Sequence, residues 1–339
     1  MALQSTGLSR RLLIAAGVLL VYLVVVPMIL VDQPYFLGVA TTASVLALIS
    51  LGVWLTFYIG RINIGQGAFA LIGGYAAAIL ITKLGLPYWL ALPLAGLISA
   101  AVGCLIGLPI LRLRGVYFAM ITLSLTEAVR LFALNAGFLT NGATGIVNIP
   151  TPEAIAIGGL VLVPAFAEIN QHLAFYYLAA LLLIFGVLLV WRAANSRMGW
   201  LFRSLQQNEE LATSIGVNVA GLRIVAYAIC CFLGGLGGAF FTISQQSIYP
   251  SSFAVPDSIY FMLYCFLGGL GFVFGPVVGT FVLFISFELL HGLKEYQTLL
   301  YAVIIIALML WLPNGLLSLR LPGARPAEPP RGGTAEKEA

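Results

Sequence analysis

Residues 259–290 read IYFMLYCFLGGLGFVFGPVVGTFVLFISFELL. A single membrane-spanning helix takes about 20 apolar residues, and this run is longer. It is also interrupted by Gly268-Gly269-Leu270-Gly271 and by Gly275-Pro276. Glycine relaxes a helix and proline removes a backbone donor. The segment therefore predicts a broken helical hairpin, with a descent to about Gly271, a turn through Gly275 and a return to about Leu290. A turn within the bilayer is tolerated where protein or a water-filled cavity surrounds it. The alternative, one span, would leave the tail with Arg320, Arg325, Arg331 and Lys337 outside, against the excess of Lys and Arg on cytoplasmic faces. The hairpin places both termini in the cytoplasm.

Outward from this segment, long unbroken apolar runs recur at 12–30, 36–59, 65–82, 87–111, 116–135, 172–192, 222–243 and 296–312. Transmembrane barrel strands would alternate apolar and polar residues instead. The expected fold is thus an all-α polytopic membrane protein with about eight full transmembrane helices plus the hairpin. One membrane domain spans 1–320, followed by a polar, Pro-rich and disordered cytoplasmic tail, 321–339. Composition agrees: of 339 residues 61% are hydrophobic and only 8% charged, against about 25% charged in soluble domains. Soluble enzymes, nucleic-acid-binding proteins and disordered chains are excluded. The net charge of +4 acts as an orientation signal. Arg10, Arg11, Arg61, Arg112, Arg114, Arg192, Arg197, Arg203 and Arg223 gather on one side, leaving Lys83 and Arg130 on the other. Arg10-Arg11 and the run 12–30 resemble a signal peptide, but the run is long and lacks an A-x-A site, which predicts an uncleaved first span.

A second break lies at Gly60-Arg61-Ile62-Asn63-Ile64-Gly65-Gln66-Gly67. Two interruptions, one per half, hint at an internal duplication. Residues 136–171 read as an outer loop, within which 155–166 is too short to span and suits a short interfacial helix or packed loop.

Chemistry-bearing motifs are sparse. Cys104, Cys230, Cys231 and Cys265 lie in apolar runs and form no C-x-x-C pair, so neither a disulfide framework nor a metal site is expected. His172 and His291 are far apart and near span edges. Gly234-Gly235-Leu236-Gly237-Gly238-Ala239 lies inside an apolar span, where small residues serve helix packing. No catalytic constellation and no G-x-x-x-x-G-K-[ST] phosphate loop is present. If ATP energises the protein, another chain hydrolyses it, and this chain carries no cofactor of its own.

The connector 195–223 is the longest cytoplasmic link. Leu205, Leu211, Ala212 and Ile215 can share one helical face, with Gln206 and Glu209 on the other and Gly216 as the stop. A projecting amphipathic helix suits a groove on a partner. Here the chain resembles a known family. Arg203-Ser-Leu followed by Glu210-Leu-Ala-Thr-Ser-Ile-Gly216-Val-Asn218 is similar to the coupling loop of ATP-binding-cassette importer permeases. Gly65-Gln66-Gly67-Ala68-Phe69, Gly73-Gly74-Tyr75-Ala76-Ala77, Leu113-Arg114-Gly115-Val116-Tyr117-Phe118-Ala119, Glu127-Ala128-Val129-Arg130-Leu131 and Thr140-Asn141-Gly142-Ala143-Thr144-Gly145 follow in the order of the LivM-type branched-chain amino acid permeases. The resemblance covers roughly 35–315. The chain departs from the family pattern at Leu211-Ala212, at Asn141-Gly142, and at Asn63 and Gln66.

The resemblance implies an importer in the bacterial inner membrane. This chain would pair with a second, LivH-like permease, two ATP-binding subunits that hold ATP and magnesium, and an external solute-binding protein. Arg203, Glu209, Glu210, Gly216 and Asn218 would couple it to the ATP-binding subunit. Asn63, Gln66, Tyr117, Thr122, Glu127, Arg130 and Asn135 are candidates for the translocation pathway or a gate. Asn63, Gln66, Tyr117, Thr122 and Asn135 could equally bond helices together. Glu127 and Arg130, at i,i+3, either pair with each other or meet a zwitterionic substrate. Urea, short amides and aromatic compounds are alternative substrates. An ion-coupled secondary transporter would use buried acids, of which Glu127 and Glu288 are the candidates. An integral-membrane enzyme would need a clustered polar site, which the sequence lacks.

Overall fold

In hydrocarbon every backbone N–H and C=O must be satisfied within the protein, which a helix does locally. The apolar runs accordingly fold as helices in the computed structural model, which describes residues 21–318 apart from 154, 158–159, 164–165, 167–169 and 313–314. Residues 12–20 of the first run and the tail 321–339 lie outside the described residues. A π-helical turn, Val21–Val25, leads into α1 (Val26–Leu30). Then come α2 (Pro34–Tyr58), α3 (Gln66–Thr82), α4 (Tyr88–Ile110), α5 (Gly115–Asn135) and α6 (Gln171–Ala194). The connector forms α7 (Arg197–Gln207) and α8 (Glu209–Ser214). After it come α9 (Val219–Ser244), α10 (Val255–Gly268), α11 (Gly275–Leu289) and α12 (Gln297–Trp311). The chain is an all-α polytopic membrane protein.

Seven helices among the described residues are long and apolar enough to cross a membrane. Of the eight expected full spans, one falls short. α3 has 17 residues, about 26 Å of helix, and starts inside the protein. The first span is described only from 21 onward. In the hairpin, the returning arm is longer than expected: α11 runs on through a 3-10 segment, Leu290–Tyr296, and 275–294 reaches spanning length.

The hairpin itself is where the glycines place it. α10 stops at Gly268, and Gly269 takes φ +107, a conformation side chains rarely adopt. Pro276 opens α11, where its missing N–H costs nothing. Trp54 Nε1 donates to the Leu270 carbonyl at 2.9 Å, satisfying the tip. Beyond α12, Gly315 lies so close to Gly269 that a Cβ there would strike its backbone. The end of α12 thus returns to the hairpin tip.

Two faces follow from these contacts. On one, the ends of α2 and α4, the start of α9, the hairpin tip and Gly315 gather about the connector. On the other, Lys83 after α3 donates to the carbonyls of Phe138 (3.0 Å) and Leu139 (2.8 Å) beyond α5. There β1 (Ile146–Val147) pairs with β4 (Ser247–Ile248). Part of 155–166, expected as a short helix or packed loop, is a β-hairpin of β2 (Ile155–Ile157) and β3 (Leu160–Val163). β-Branched alternation suits paired strands here better than one helical turn.

α9 is the hub, packed on α2, α3 and α4. Its glycine face allows this: a Cβ on Gly73 would collide with Gly235, and one on Gly238 with the Ala70 carbonyl. Ser99 Oγ donates to the Phe69 carbonyl at 3.0 Å across the α3–α4 contact. α3 lies against α4 and α9, and α10 against α11 and α2. α2 ends at the connector face whereas α9 begins there, so the two triplets share one packing order in opposite directions. This is the arrangement of an inverted-topology repeat, with the short helices α3 and α10 as its corresponding members.

Candidate functional site

The connector 195–223 was expected to carry one projecting helix stopped at Gly216. Instead Asn208, with extended backbone (φ −157), divides it. Its side chain accepts the Leu211 N–H at 3.0 Å and caps α8. The division changes which side chains face inward. Leu205 and Ala212 pack with Val219, as the apolar face predicted. Leu211 and Ile215 are instead 63% and 72% exposed, and Glu209, expected outside, turns in. The physical reason is charge. Glu209 Oε1 accepts from Arg114 at 3.1 Å, Oε2 accepts from Arg61 at 3.4 Å, and Oε2 also pairs with Arg223.

These three arginines come from different spans. Arg61 belongs to the break after α2, Arg114 immediately precedes α5, and Arg223 is in the first turns of α9. Arg61 and Arg223 are only 5% and 8% exposed. Burial first, and repulsion from Arg223 second, lower the Arg61 guanidinium below its ordinary pKa, while Glu209 opposes the shift. Buried cations require such a partner. One carboxylate therefore ties the connector to three span ends. The sequence assigned these arginines a side of the membrane but gave no sign of the convergence, because Arg61 and Glu209 are 148 residues apart.

Arg203 Nε donates to the Tyr58 hydroxyl, and its guanidinium lies 5.4 Å from that ring's centre. Asn218 accepts the Gly221 N–H at 3.0 Å and caps α9. Gly216, at φ +85, ends α8 on the surface. Glu210 is exposed, 3.9 Å from Arg114.

Asn63, Gln66 and Thr122 are buried and bonded within the chain. Asn63 Nδ2 donates to Gln66 Oε1 at 3.3 Å, and Gln66 Nε2 donates to the carbonyls of Ile49 (3.2 Å) and Cys230 (3.0 Å). The Ile64 N–H donates to Thr122 Oγ1 at 3.1 Å. This knot fastens the break to α2, α5 and α9. Beside it the Gly67 N–H donates to Ser258 Oγ at 3.0 Å, and Ser258 meets Thr126 at 3.2 Å. The starts of α3 and α10 thus touch each other next to α5.

Tyr117, Glu127, Arg130 and Asn135 lie on α5. Arg130 donates from Nε (2.9 Å) and Nη2 (2.6 Å) to the Glu127 carboxylate, a bidentate pair. Tyr117 and Asn135 are exposed, as are Met120, Ser124 and Leu131 on the same face. The Glu127 side chain keeps 42% of its surface. An ion pair open to hydrocarbon is costly, so this face suits a water-lined path or another protein chain. Glu288 accepts the Tyr35 hydroxyl.

The four cysteines are free, three of them buried. Among the described residues no group of His, Cys, Asp and Glu is arranged to hold a metal ion. Two cavities lie among the described residues near these elements. One, of about 550 Å³, is almost wholly apolar and is walled by α3, α4 and α5. The other, of about 330 Å³, lies among α2, α9, α10, α11 and α12 and contains Asp257. The sequence reading missed Asp257. Its signal is an acid three residues after Ala254, ahead of an apolar run, which is also the pattern of an ordinary helix start.

The chain matches the sequence model of a family described as "Branched-chain amino acid transport system / permease component" over residues 35–312. It is 31% identical to the high-affinity branched-chain amino acid transport system permease protein LivM of Salmonella typhimurium, across 84% of the chain and 70% of that protein. It is 30% identical to LivM of Escherichia coli with the same coverage. To the branched-chain amino acid transport permease protein LivH of Methanocaldococcus jannaschii it is 24% identical, across 82% of the chain and 90% of that protein. No solved structure matches.

Proposed function

The chain belongs to the family of branched-chain amino acid transport system permease components, and from that premise we propose that it is one permease of an ATP-driven importer. It carries branched-chain or related hydrophobic amino acids through the bacterial plasma membrane, in which it is a multi-pass protein. It is a transport subunit and not an enzyme. Hydrolysis falls to two ATP-binding subunits, since the sequence has no phosphate loop. A second, related permease and an external solute-binding protein complete the assembly. That relatives of both LivM and LivH kinds are similar to this chain favours pairing with a non-identical permease.

The connector carries the reading. Its outer surface offers Glu210, Leu211 and Ile215 beside Gly216, a small mixed patch of the kind that seats in a groove. Its inner surface holds Glu209 among Arg61, Arg114 and Arg223. Closure of the nucleotide-binding dimer pulls the patch, and the arginines pass the displacement to the starts of α5 and α9 and to the break before α3. Two packings of similar energy then alternate access. The exposed α5 face, with Tyr117, Ser124, Glu127 and Asn135, lines the path or the contact with the second permease.

The test is reconstitution in proteoliposomes with the ATP-binding subunits, the second permease and the solute-binding protein. Uptake of a branched-chain amino acid should require ATP inside or outside according to the side that exposes the connector. Uptake that persists without ATP would replace this reading with the ion-coupled one.

A further inference from the structure

The cavity around Asp257 is built differently from the rest of the interior. Tyr260, Tyr264 and Tyr301 line it with phenylalanine rings and with Thr42 and Ser252. The rings of Tyr260 and Tyr264 are 6.5 Å apart and nearly parallel, and Tyr301 stands 6.0 Å from Tyr260 at 53°. Ser252 and Phe253, which precede α10 on the face away from the connector, form one wall. The cavity therefore lies toward the outer side. Its volume, about 330 Å³, is in the range of small-ligand sites, roughly 300–1,000 Å³.

Among the described residues Asp257 is the single acid lining this cavity, and no Lys, Arg or His lines it. Among the described residues Asp257 takes part in no ion pair. Its Oδ2 accepts the Ala254 N–H at 2.8 Å, a helix-start contact that leaves the rest of the carboxylate without a cationic partner. An ionisable side chain within a span calls for a counter-charge. Aromatic faces attract cations through the ring quadrupole. A carboxylate and three tyrosine rings in a chamber otherwise lined mainly by apolar side chains have the chemistry of a site for an ammonium group carrying an apolar substituent.

We propose that this cavity binds the ammonium group of a hydrophobic amino acid entering from the outer side, with Asp257 as counter-ion and the rings of Tyr260, Tyr264 and Tyr301 around it. The inference rests on the importer reading above and names a contact for its substrate within this chain.

The test uses the assembled transporter in nanodiscs without the solute-binding protein, so that binding to the membrane part is read alone. The probes are leucine, isoamylamine (ammonium without carboxylate) and 4-methylvalerate (carboxylate without ammonium), followed by thermal stabilisation. Leucine and isoamylamine should bind the unmodified protein, and 4-methylvalerate should not. Asp257→Asn keeps an oxygen for the Ala254 N–H and removes the charge, so folding is retained while amine affinity falls by about tenfold or more. Tyr260→Phe should bind isoamylamine normally, and Tyr260→Leu should weaken it several-fold. Unchanged amine binding in Asp257→Asn, no amine binding in the unmodified protein, or equal binding of 4-methylvalerate overturns the proposal. The importer reading is judged separately by the ATP dependence of uptake, which these binding measurements do not involve.

Discussion

Glu209 and Glu210 are neighbours with opposite situations. Glu209 is enclosed by three guanidinium groups, whereas the Glu210 side chain keeps 86% of its surface. Glu209→Ala leaves Arg61 and Arg223 buried without their carboxylate. Breaking a buried pair from one side costs about 3–5 kcal/mol, so the variant should melt well below the parent protein in detergent. Substituting Arg223→Met in the same chain should recover part of the loss, because it removes one of the stranded charges. Glu210→Lys touches no buried group. Its melting temperature and membrane insertion should match the parent, while substrate-stimulated ATP hydrolysis in the full assembly falls. Normal stimulation in that variant would remove the docking role. The connector was recognisable in the sequence as the long polar link between spans, and both glutamates were marked. Which of the two turns inward was not legible, because that choice depends on arginines contributed by three distant spans.

Helix punctuation explains which elements the sequence displayed. Gly268, Gly269 and Pro276 interrupt an apolar run within a few residues, and the hairpin forms where they stand. The split between α7 and α8 has a subtler mark. Asn208 followed by Glu209-Glu210 is a capping residue with acids in the first turn, set within a pattern that otherwise reads as one amphipathic helix. The glycine face of α9 read correctly as packing, since small residues in a span have few other uses. Gly235→Leu should therefore wedge α9 from Ser99 and α4, with an overpacking penalty of about 1–3 kcal/mol or more. Gly38 in α2 has open space around it, and Gly38→Ala should be neutral or stabilise by up to about 1 kcal/mol. Thermal unfolding of the two variants side by side checks both signs.

For the molecule as a whole, the number of crossings decides which loops share a compartment. Contacts of the connector and of Gly315 put 195–218 and 315–318 on one face, and Lys83 and Glu153 on the other. Glu210→Cys and Ser318→Cys should react with an impermeant thiol reagent from the same side of sealed vesicles, and Glu153→Cys from the opposite side. Labelling of 210 and 318 from different sides would refute the hairpin topology. The arginine asymmetry made it legible which loops share a face, whereas the shortness of α3 was hidden because its composition is as apolar as that of a full span.

The meeting of Gly67 with Ser258 has a consequence for motion. The two inverted halves adjoin at their short members, and there the seam is held by a backbone amide on one hydroxyl, with Thr126 alongside. A neutral hydrogen bond contributes about 1 kcal/mol net, so shear along this seam is inexpensive beside disturbing the glycine-lined contacts of α9. Movement of α3 against α10 can start at this seam, whereas rocking of whole halves must also shift the glycine-lined contacts that α9 makes with α2, α3 and α4.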